Sequence, residues 1–279
     1  MRRRDFLQAA GSALSTAAVA SPARQIGGAM PTFDQTPDKP RSFGYKISWF
    51  AVKHSDPASV LDALEFGAGK QANWASGLSA AYETSQRTDA WVFVSPPVSG
   101  WVLVVGSSLP YPVAATEPLH NIGTKFDALF SRLMKRFPQV QFFGSYRVVG
   151  FVAWARAQNG EPTRIFSYAD GEVYANVGEQ TPEEVKLKFA NLGGLSPPAA
   201  RDRIFKIATE QDAEEDALVA SGVPPREARA RVERVHAIPN EKDVVELAAL
   251  WSSDPTRLSS QEHSLGVGLA ARLPKDWIQ

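Results

Sequence analysis

Two apolar runs on either side of a proline-rich turn constrain the fold of this chain most strongly. Trp91–Val94 and Trp101–Val105 consist almost entirely of β-branched and aromatic residues, which suit a pleated strand. Ser95–Gly100 lies between them and contains two adjacent prolines and a glycine. Because proline cannot donate a hydrogen bond to a sheet and glycine allows positive φ, this segment is a turn. The pattern predicts a β-hairpin, and its near-continuous apolar character predicts burial on both faces or a central position in the sheet.

The clearest helical pattern follows the hairpin. Apolar side chains recur there at the spacing of one helix face: Phe126, Leu129, Phe130, Leu133, Met134 and Phe137. Thr124, with Asp127 three residues later, resembles a capping box and predicts that the helix begins there. Pro138 predicts its end.

The order of the remaining elements predicts the fold class. Further strands are predicted at residues 45–53, 140–143, 148–156 and 164–168. Short helices are predicted near Pro57, Pro182 and Asn240, where capping residues occur. The resulting order is β-α-β-β-α-β, then two more strands and further helices. It predicts an α+β fold: an antiparallel sheet with a ferredoxin-like βαββαβ layout extended by extra strands, plus C-terminal helices.

The same reading divides the chain into four parts. Residues 1–20 are predicted to be a signal peptide, and residues 21–43, rich in proline and glycine without apolar periodicity, a flexible linker. Residues 44–258 are predicted to form a single α+β domain. Residues 259–279 are predicted to be a loose C-terminal tail.

The N-terminus carries the most informative functional signal. Arg3, Arg4, Phe6 and Leu7 resemble the twin-arginine export motif. An alanine-rich apolar segment follows, and Ala18 and Ala20 form a small-x-small cleavage site. The segment is too short and too weakly apolar to span a membrane, which predicts no stable membrane anchor. A disordered basic tail is the alternative interpretation.

The export resemblance implies a route and a destination. The twin-arginine export machinery would be one partner, and it carries proteins that are already folded. The chain would then be periplasmic or secreted.

Composition excludes several kinds of chemistry. The chain has no cysteine, so disulfides, thiolate nucleophiles and cysteine-based zinc sites are absent. Residues 1–20 hold three arginines and one aspartate, so removing them leaves 27 basic and 29 acidic side chains, a net charge of −2. This balance gives no support to nucleic-acid binding.

Catalytic and metal-binding motifs are incomplete. Gly67–Lys70 lacks the other residues of a phosphate-binding loop, and Gly77–Ala81 is a degraded nucleophile elbow without a strand directly before it. The acidic residues of 210–216 lack the spacing of a calcium loop. The histidines do not occur in local metal-binding pairs: His54, His120, His236 and His263. We therefore predict no metal ion and no cofactor, although distant histidines could still assemble a site.

Three residues are candidates for a binding surface. Trp74 and Tyr82 lie in a segment, residues 74–86, that could be either helix or loop, and aromatic side chains commonly anchor interfaces. Arg147 lies between two apolar strands, where partial burial would require a carboxylate or carbonyl partner.

Several stretches together resemble a widespread group of uncharacterised bacterial proteins. They are Tyr45–Lys53 with Asp56-Pro57, residues 74–82, Phe93–Pro97, Gly100–Gly106, Val140–Gly144 and Trp251–Thr256, the last reading Trp-Ser-Ser-Asp-Pro-Thr. The resemblance covers about residues 44–258. It implies a single compact domain and carries no activity with it.

Two functions remain open from the sequence. The first is a binding protein that is folded before export and captures a protein partner, as in immunity-type neutralisation of a toxin. The alternative is a periplasmic hydrolase whose site is assembled from scattered serine, histidine and aspartate or arginine residues.

Overall fold

The computed structural model describes residues 31–83, 90–232 and 235–277, in which nine strands form one sheet. Their spatial order is β2-β9-β3-β4-β1-β5-β6-β7-β8, and every neighbouring pair is antiparallel. The bounds are β1 Ser48–Val52, β2 Lys70–Asn73, β3 Trp91–Val94, β4 Val102–Gly106, β5 Gln139–Tyr146, β6 Phe151–Gln158, β7 Glu161–Ala169, β8 Glu172–Val177 and β9 Val267–Arg272. The predicted α+β class and antiparallel sheet are confirmed.

The helices of this part of the chain pack on both faces of the sheet. Their bounds are α1 Pro57–Leu64, α2 Trp74–Tyr82, α3 His120–Arg136, α4 Pro182–Lys186, α5 Pro197–Ala220, α6 Pro225–Arg231 and α7 Glu241–Trp251. One core contains the apolar faces of α1 and α3. The other core contains apolar residues of α2, α5 and α7. The sheet therefore lies between two apolar layers.

The predicted hairpin is confirmed. Phe93 lies opposite Val105 and Val94 lies opposite Val104 in the antiparallel pair of β3 and β4. Every residue of the two strands is buried. Both faces are covered by the two apolar layers, with Phe93 in one core and Val94 in the other. The hairpin lies inside the sheet because β3 also pairs with β9 and β4 also pairs with β1.

The amphipathic helix α3 starts earlier than predicted. It begins at His120, and the Thr124 hydroxyl donates to the carbonyl of His120 at 3.1 Å within the helix, so Thr124 is not the N-cap. Phe126 and Leu129 are fully buried, as the spacing predicted. The helix ends at Arg136, just before Pro138.

The prediction of a flexible linker is wrong for residues 31–43, which we call the N-terminal strap. The Asp38 carboxylate accepts hydrogen bonds from the backbone N–H groups of Trp74 at 2.7 Å and Ala75 at 3.0 Å, which caps α2. Phe33 packs edge-on against Trp91 with ring centroids 5.0 Å apart, and Phe43 is buried. The strap is docked because its carboxylate satisfies the exposed N–H groups of a helix start.

The prediction of a loose tail is also wrong for β9. Val267–Arg272 forms a strand between β2 and β3, and Ala270 and Ala271 are fully buried. Strand β2 was not predicted either. Lys70–Asn73 contains no β-branched residue, and its partner β9 comes from the far end of the chain. No helix among residues 31–83, 90–232 and 235–277 is both long enough and apolar enough to cross a membrane.

Replacing Asp38 with alanine tests the strap. We expect the free energy of unfolding to fall by about 1–2 kcal/mol, because α2 loses its carboxylate cap. Urea denaturation of the wild type and the variant measures this difference. The control is Arg41→Ala, which removes only the 3.6 Å ion pair to Asp38 from an exposed arginine. Equal stability of the two variants would show that the cap contributes nothing beyond this pair.

Candidate interaction surface

Trp74 does not lie on a surface. It is fully buried, and its ring packs edge-on against Phe93 with centroids 5.4 Å apart. The close approach of α2 to the sheet requires glycine at position 77, since a Cβ atom there would lie 2.1 Å from the Phe93 ring. Because Trp74 fills the space between helix and sheet, its indole is not available to a partner.

Tyr82 lies at the end of α2 and is 37% exposed. Its hydroxyl donates to the backbone carbonyl of Tyr45 at 3.2 Å. Partial burial raises the pKa of the Tyr82 hydroxyl above its usual value, because burial disfavours the charged phenolate. Tyr82 therefore ties the end of α2 to the segment just before β1.

Arg147 is exposed rather than partly buried. It lies in a single-turn 3-10 helix, Arg147–Val149, between β5 and β6, and its side chain is 67% exposed. Its guanidinium is 3.9 Å from Glu241 Oε1 at the start of α7. The sequence prediction failed here because residues 147–149, which continue the apolar pattern of a strand, project beyond the sheet as a turn.

The structure brings Tyr82 and Arg147 to the same end of the sheet. Both residues are tied to the segment just before β1. Tyr82 bonds to Tyr45 of that segment. Ser145, two residues before Arg147, donates from its N–H to the carbonyl of Ile47 at 3.2 Å and from its hydroxyl to the carbonyl of Gly44 at 3.4 Å. The exposed side chains at this end are Tyr45, Tyr82, Tyr146, Arg147 and Val148, which we call the end surface.

The end surface is largely aromatic and apolar. Tyr45 and Tyr146 are each 45% exposed, and Val148, at 70%, is the most exposed large hydrophobic side chain among those the structure describes. Tyrosine and arginine are enriched among residues that dominate binding energy at interfaces. Sequence reasoning missed Tyr45 and Val148 because both were assigned to predicted strands, and it left Tyr146 between two predicted strands without a role.

A fixed backbone corner presents Tyr45. Gly44 has a φ of +127°, which glycine adopts readily and other residues rarely adopt. A Cβ atom at this position would lie 3.1 Å from Pro255 Cγ. The Phe43 N–H donates to the carbonyl of Pro255 at 2.9 Å. Asp254 in turn caps the short 3-10 helix that begins at Pro255. The Trp251–Thr256 segment thus builds this corner.

Exposed basic side chains lie beside the end surface. Lys46 is exposed, and the Lys242 side chain is 73% exposed. A hydrogen bond to Glu246 at 3.1 Å raises the pKa of Lys242 above its usual value. Glu241 is more enclosed, with its side chain 20% exposed. In the pairs Arg147–Glu241 and Lys242–Glu246 the cation is more exposed than the carboxylate, which is 20% and 40% exposed respectively, so the outer charge favours an acidic counterpart.

The histidines do not converge on a metal site. No group of three or more histidine or acidic side chains suited to a metal ion occurs in the described ranges. His236 is paired, with its Nδ1 3.0 Å from Oδ1 of the buried Asp243, whose other oxygen accepts from the N–H of Asn240. The segment Gly77–Ala81 lies within α2 rather than on a strand-to-helix turn.

A cavity of about 570 Å³ lies beside α1 and β9. Its lining includes Asp62 and Glu65, which pair with Arg136 at 2.7 Å and with Arg132 at 2.8 Å. Both carboxylates are thus already neutralised by arginines of α3, and the rest of the lining consists of glycine, alanine and leucine.

The most buried charges form a closed network. Arg164 Nε donates to both oxygens of Glu184 at 3.0 and 3.1 Å, and its Nη1 donates to Asn176 Oδ1 at 2.8 Å. Glu184 also accepts from Trp154 Nε1 at 2.9 Å and from the N–H of Thr181 at 2.8 Å. Because the protein satisfies both carboxylate oxygens, this network supports the fold and offers no open position for a ligand.

Comparisons with protein-family models, with curated proteins and with solved structures found no match to this chain. The resemblance to a group of uncharacterised bacterial proteins stays a prediction.

Proposed function

We propose that this chain is an exported binding protein that captures a protein partner through the end surface. The observation that carries the proposal is the cluster of exposed Tyr45, Tyr146 and Val148 around Arg147. Exposed apolar side chains gathered at one place and rimmed by polar groups mark interaction sites, whereas scattered ones do not. Immunity-type neutralisation of a toxin is one instance of such capture.

The shape and charge of the end surface specify the partner. Tyr146, Arg147 and Val148 belong to one tight turn, so they form a projection that fits a concave site. Arg147 and Lys242 favour carboxylates around that site. The proposed partner therefore has an apolar pocket with an acidic rim.

We further propose export by the twin-arginine machinery to the periplasm or beyond. The support is Arg3, Arg4, Phe6 and Leu7, followed by the cleavage residues Ala18 and Ala20. All of these lie outside the described residues. The compact unit of residues 31–279 is the kind of folded cargo this route carries.

A ferredoxin-like layout is the finer fold assignment that we propose for the centre of the sheet. Its elements would be β1, α1, β3, β4, α3 and β5. The support is their spatial strand order β3-β4-β1-β5 and the shared apolar layer of α1 and α3. On this view β2 and β9 extend the sheet on one side, and β6, β7 and β8 extend it on the other.

The second candidate function is a periplasmic hydrolase, favoured by the His236–Asp243 pair. A buried carboxylate fixes the orientation of the imidazole, as in enzymes that use histidine as a general base, and the side chain of His236 is 44% exposed. Hydrolysis of a small activated ester that is lost in His236→Asn would support this function. Equal hydrolysis rates in the variant and the wild type would rule out His236 as the general base of a hydrolase.

Replacing Val148 with aspartate tests the binding proposal. The mature protein, immobilised and exposed to periplasmic extract, is expected to retain a discrete partner, and Val148→Asp is expected to weaken this binding at least about 30-fold because a charge enters an apolar pocket. Gln139→Asp is the matched control, since Gln139 is exposed at the opposite end of strand β5. Equal retention by both variants would overturn the assignment of the end surface.

A further inference from the structure

Strand β2 lies at one edge of the sheet, and the N-terminal strap uses part of that edge. Among the described strands, β2 pairs only with β9. The N–H of Asn73, at the end of β2, donates to the carbonyl of Asp34 in the strap at 2.7 Å. The backbone of Asn73 therefore points away from β9, and the strap makes the kind of bond there that an added strand makes.

The next outward backbone groups along this edge belong to Gln71. Backbone groups alternate in direction along an antiparallel strand, so those of Gln71 point the same way as those of Asn73. Gln71 is exposed, and among the described residues no backbone group outside the ladder bonds to its N–H or its C=O. Lysine commonly blocks a sheet edge, but Lys70 turns onto the sheet face, with its Nζ 5.8 Å from the centre of the Trp91 ring. The edge at Gln71 is thus available for pairing.

The cavity of about 570 Å³ beside α1 and β9 adjoins the same stretch of edge. Its lining includes Gly67–Gly69, which lead directly into β2, and Leu269, which lies opposite Gln71 in the sheet. Gly69 lies against Leu61 of α1, since a Cβ atom there would be 2.6 Å from Leu61 Cδ2. A strand paired at Gln71 therefore has a largely apolar cavity beside one of its side chains.

The rim of this cavity is acidic on its outer side. In the pairs Asp62–Arg136 and Glu65–Arg132, the carboxylate side chains are 73% and 63% exposed, against 48% and 36% for the arginines. Because both ion pairs present the carboxylate outermost, the rim favours a basic counterpart. A second copy of this chain would bring the same acidic rim to the edge, so these charges disfavour pairing between two copies.

We propose that the edge of β2 binds an extended peptide segment of another protein by strand addition. An apolar side chain of the peptide enters the cavity, and a basic residue lies at its rim. Backbone hydrogen bonds at Gln71 supply affinity, and the cavity supplies selectivity. This site shares no residue with the end surface, so the inference goes beyond the proposed function and does not rest on it.

Random heptapeptides displayed on phage and selected against the mature protein are the probe. We expect the selected peptides to share an apolar residue beside a basic one. A synthetic copy is expected to slow hydrogen exchange of the Gln71 amide at least about tenfold, because this N–H becomes bonded. Failure to enrich any peptide, or unchanged exchange at Gln71 with the peptide bound, would overturn the proposal.

A proline at position 71 tests the backbone pairing. Gln71→Pro removes the outward N–H at a place where an edge strand tolerates proline. We expect the synthetic peptide to bind this variant at least about tenfold more weakly, and to bind Gln71→Thr, which keeps the N–H, as it binds the wild type. Equal affinities of the two variants would contradict strand addition.

A larger side chain at position 58 tests the cavity without altering the strand. Ala58 is exposed on α1 and lines the cavity, so Ala58→Phe fills it and is expected to weaken peptide binding at least about tenfold. The control Ala249→Phe places the same ring on an exposed position of α7 outside the cavity lining. Equal binding by these two variants would contradict the proposal, and this comparison stands even if Gln71→Pro does not fold.

Two further results separate this site from the alternatives. Val148→Asp, which alters only the end surface, is expected to bind the peptide like the wild type, so failure of the proposed function leaves this inference intact. A dimer of the wild type that Gln71→Pro abolishes in sedimentation would assign the edge to a second copy and overturn the peptide proposal.

Discussion

Replacing Glu184 with alanine is expected to lower the free energy of unfolding by about 3–5 kcal/mol. The variant leaves the guanidinium of Arg164, whose side chain is 2% exposed, without its carboxylate. It also removes the acceptor of Trp154 Nε1 and of the Thr181 N–H. Denaturation by urea, with the wild type measured in parallel, gives the difference.

The neighbouring Glu183 provides the matched control. Its side chain is 27% exposed, and it lies 3.5 Å from the guanidinium of Arg156. Glu183→Ala also removes the acceptor of Trp251 Nε1 at 3.3 Å. It is expected to cost about 1–2 kcal/mol, less than Glu184→Ala, because both members of its ion pair are partly exposed. The double variant Arg164→Met with Glu184→Leu is expected to recover part of the loss, since it leaves no buried charge unpaired. A Glu184→Ala protein as stable as Glu183→Ala would contradict this account of the network.

Replacing Phe126 with alanine is expected to destabilise the protein by a similar amount, about 3–5 kcal/mol. Phe126 is fully buried between α3 and the sheet, with ring centroids 5.1 Å from Phe142 and 5.2 Å from Phe130. The cost combines lost transfer free energy with the cavity that remains.

Phe126→Leu is the control for this second prediction, because leucine keeps most of the buried volume. Its cost is expected to be clearly smaller than that of Phe126→Ala in the same denaturation experiment. If both variants unfolded at the wild-type midpoint, α3 would not pack on the sheet as the structure describes.

The hairpin and α3 could be predicted because their signals are local. The runs Trp91–Val94 and Trp101–Val105 pair across a short turn, and the spacing of apolar residues in α3 reports one buried face. The helix start was misplaced because Thr124 looks like a cap, although its hydroxyl bonds within the helix.

The placement of β2 and β9 could not be predicted because each depends on the other. Lys70–Asn73 is polar at its start, and Val267–Arg272 is rich in glycine and alanine, so neither has strong intrinsic strand preference. Their burial comes from pairing across most of the chain length. The same dependence misled the interpretation of the N-terminal strap, whose Asp38 bonds to Gly266, the residue before β9, and to the start of α2.

The candidate site was predictable only in part. Tyr82 and Arg147 were singled out separately, and the structure places both at one end of the sheet. Two hydrogen bonds bring them together, from Tyr82 to Tyr45 and from Ser145 to Gly44, and each joins residues that are far apart in sequence. Trp74 is of a residue type that is common at interfaces, but the packing of α2 on Phe93 buries it.

Site-specific crosslinking in the periplasm tests the central claim most directly. A photoreactive amino acid at position 148 is predicted to give a covalent adduct with one discrete protein, and this adduct is predicted to disappear in Arg147→Glu. The same amino acid at position 139, at the opposite end of β5, is predicted to give none. The absence of an adduct at position 148, or the same adducts at both positions, would contradict the claim that the end surface captures a protein partner.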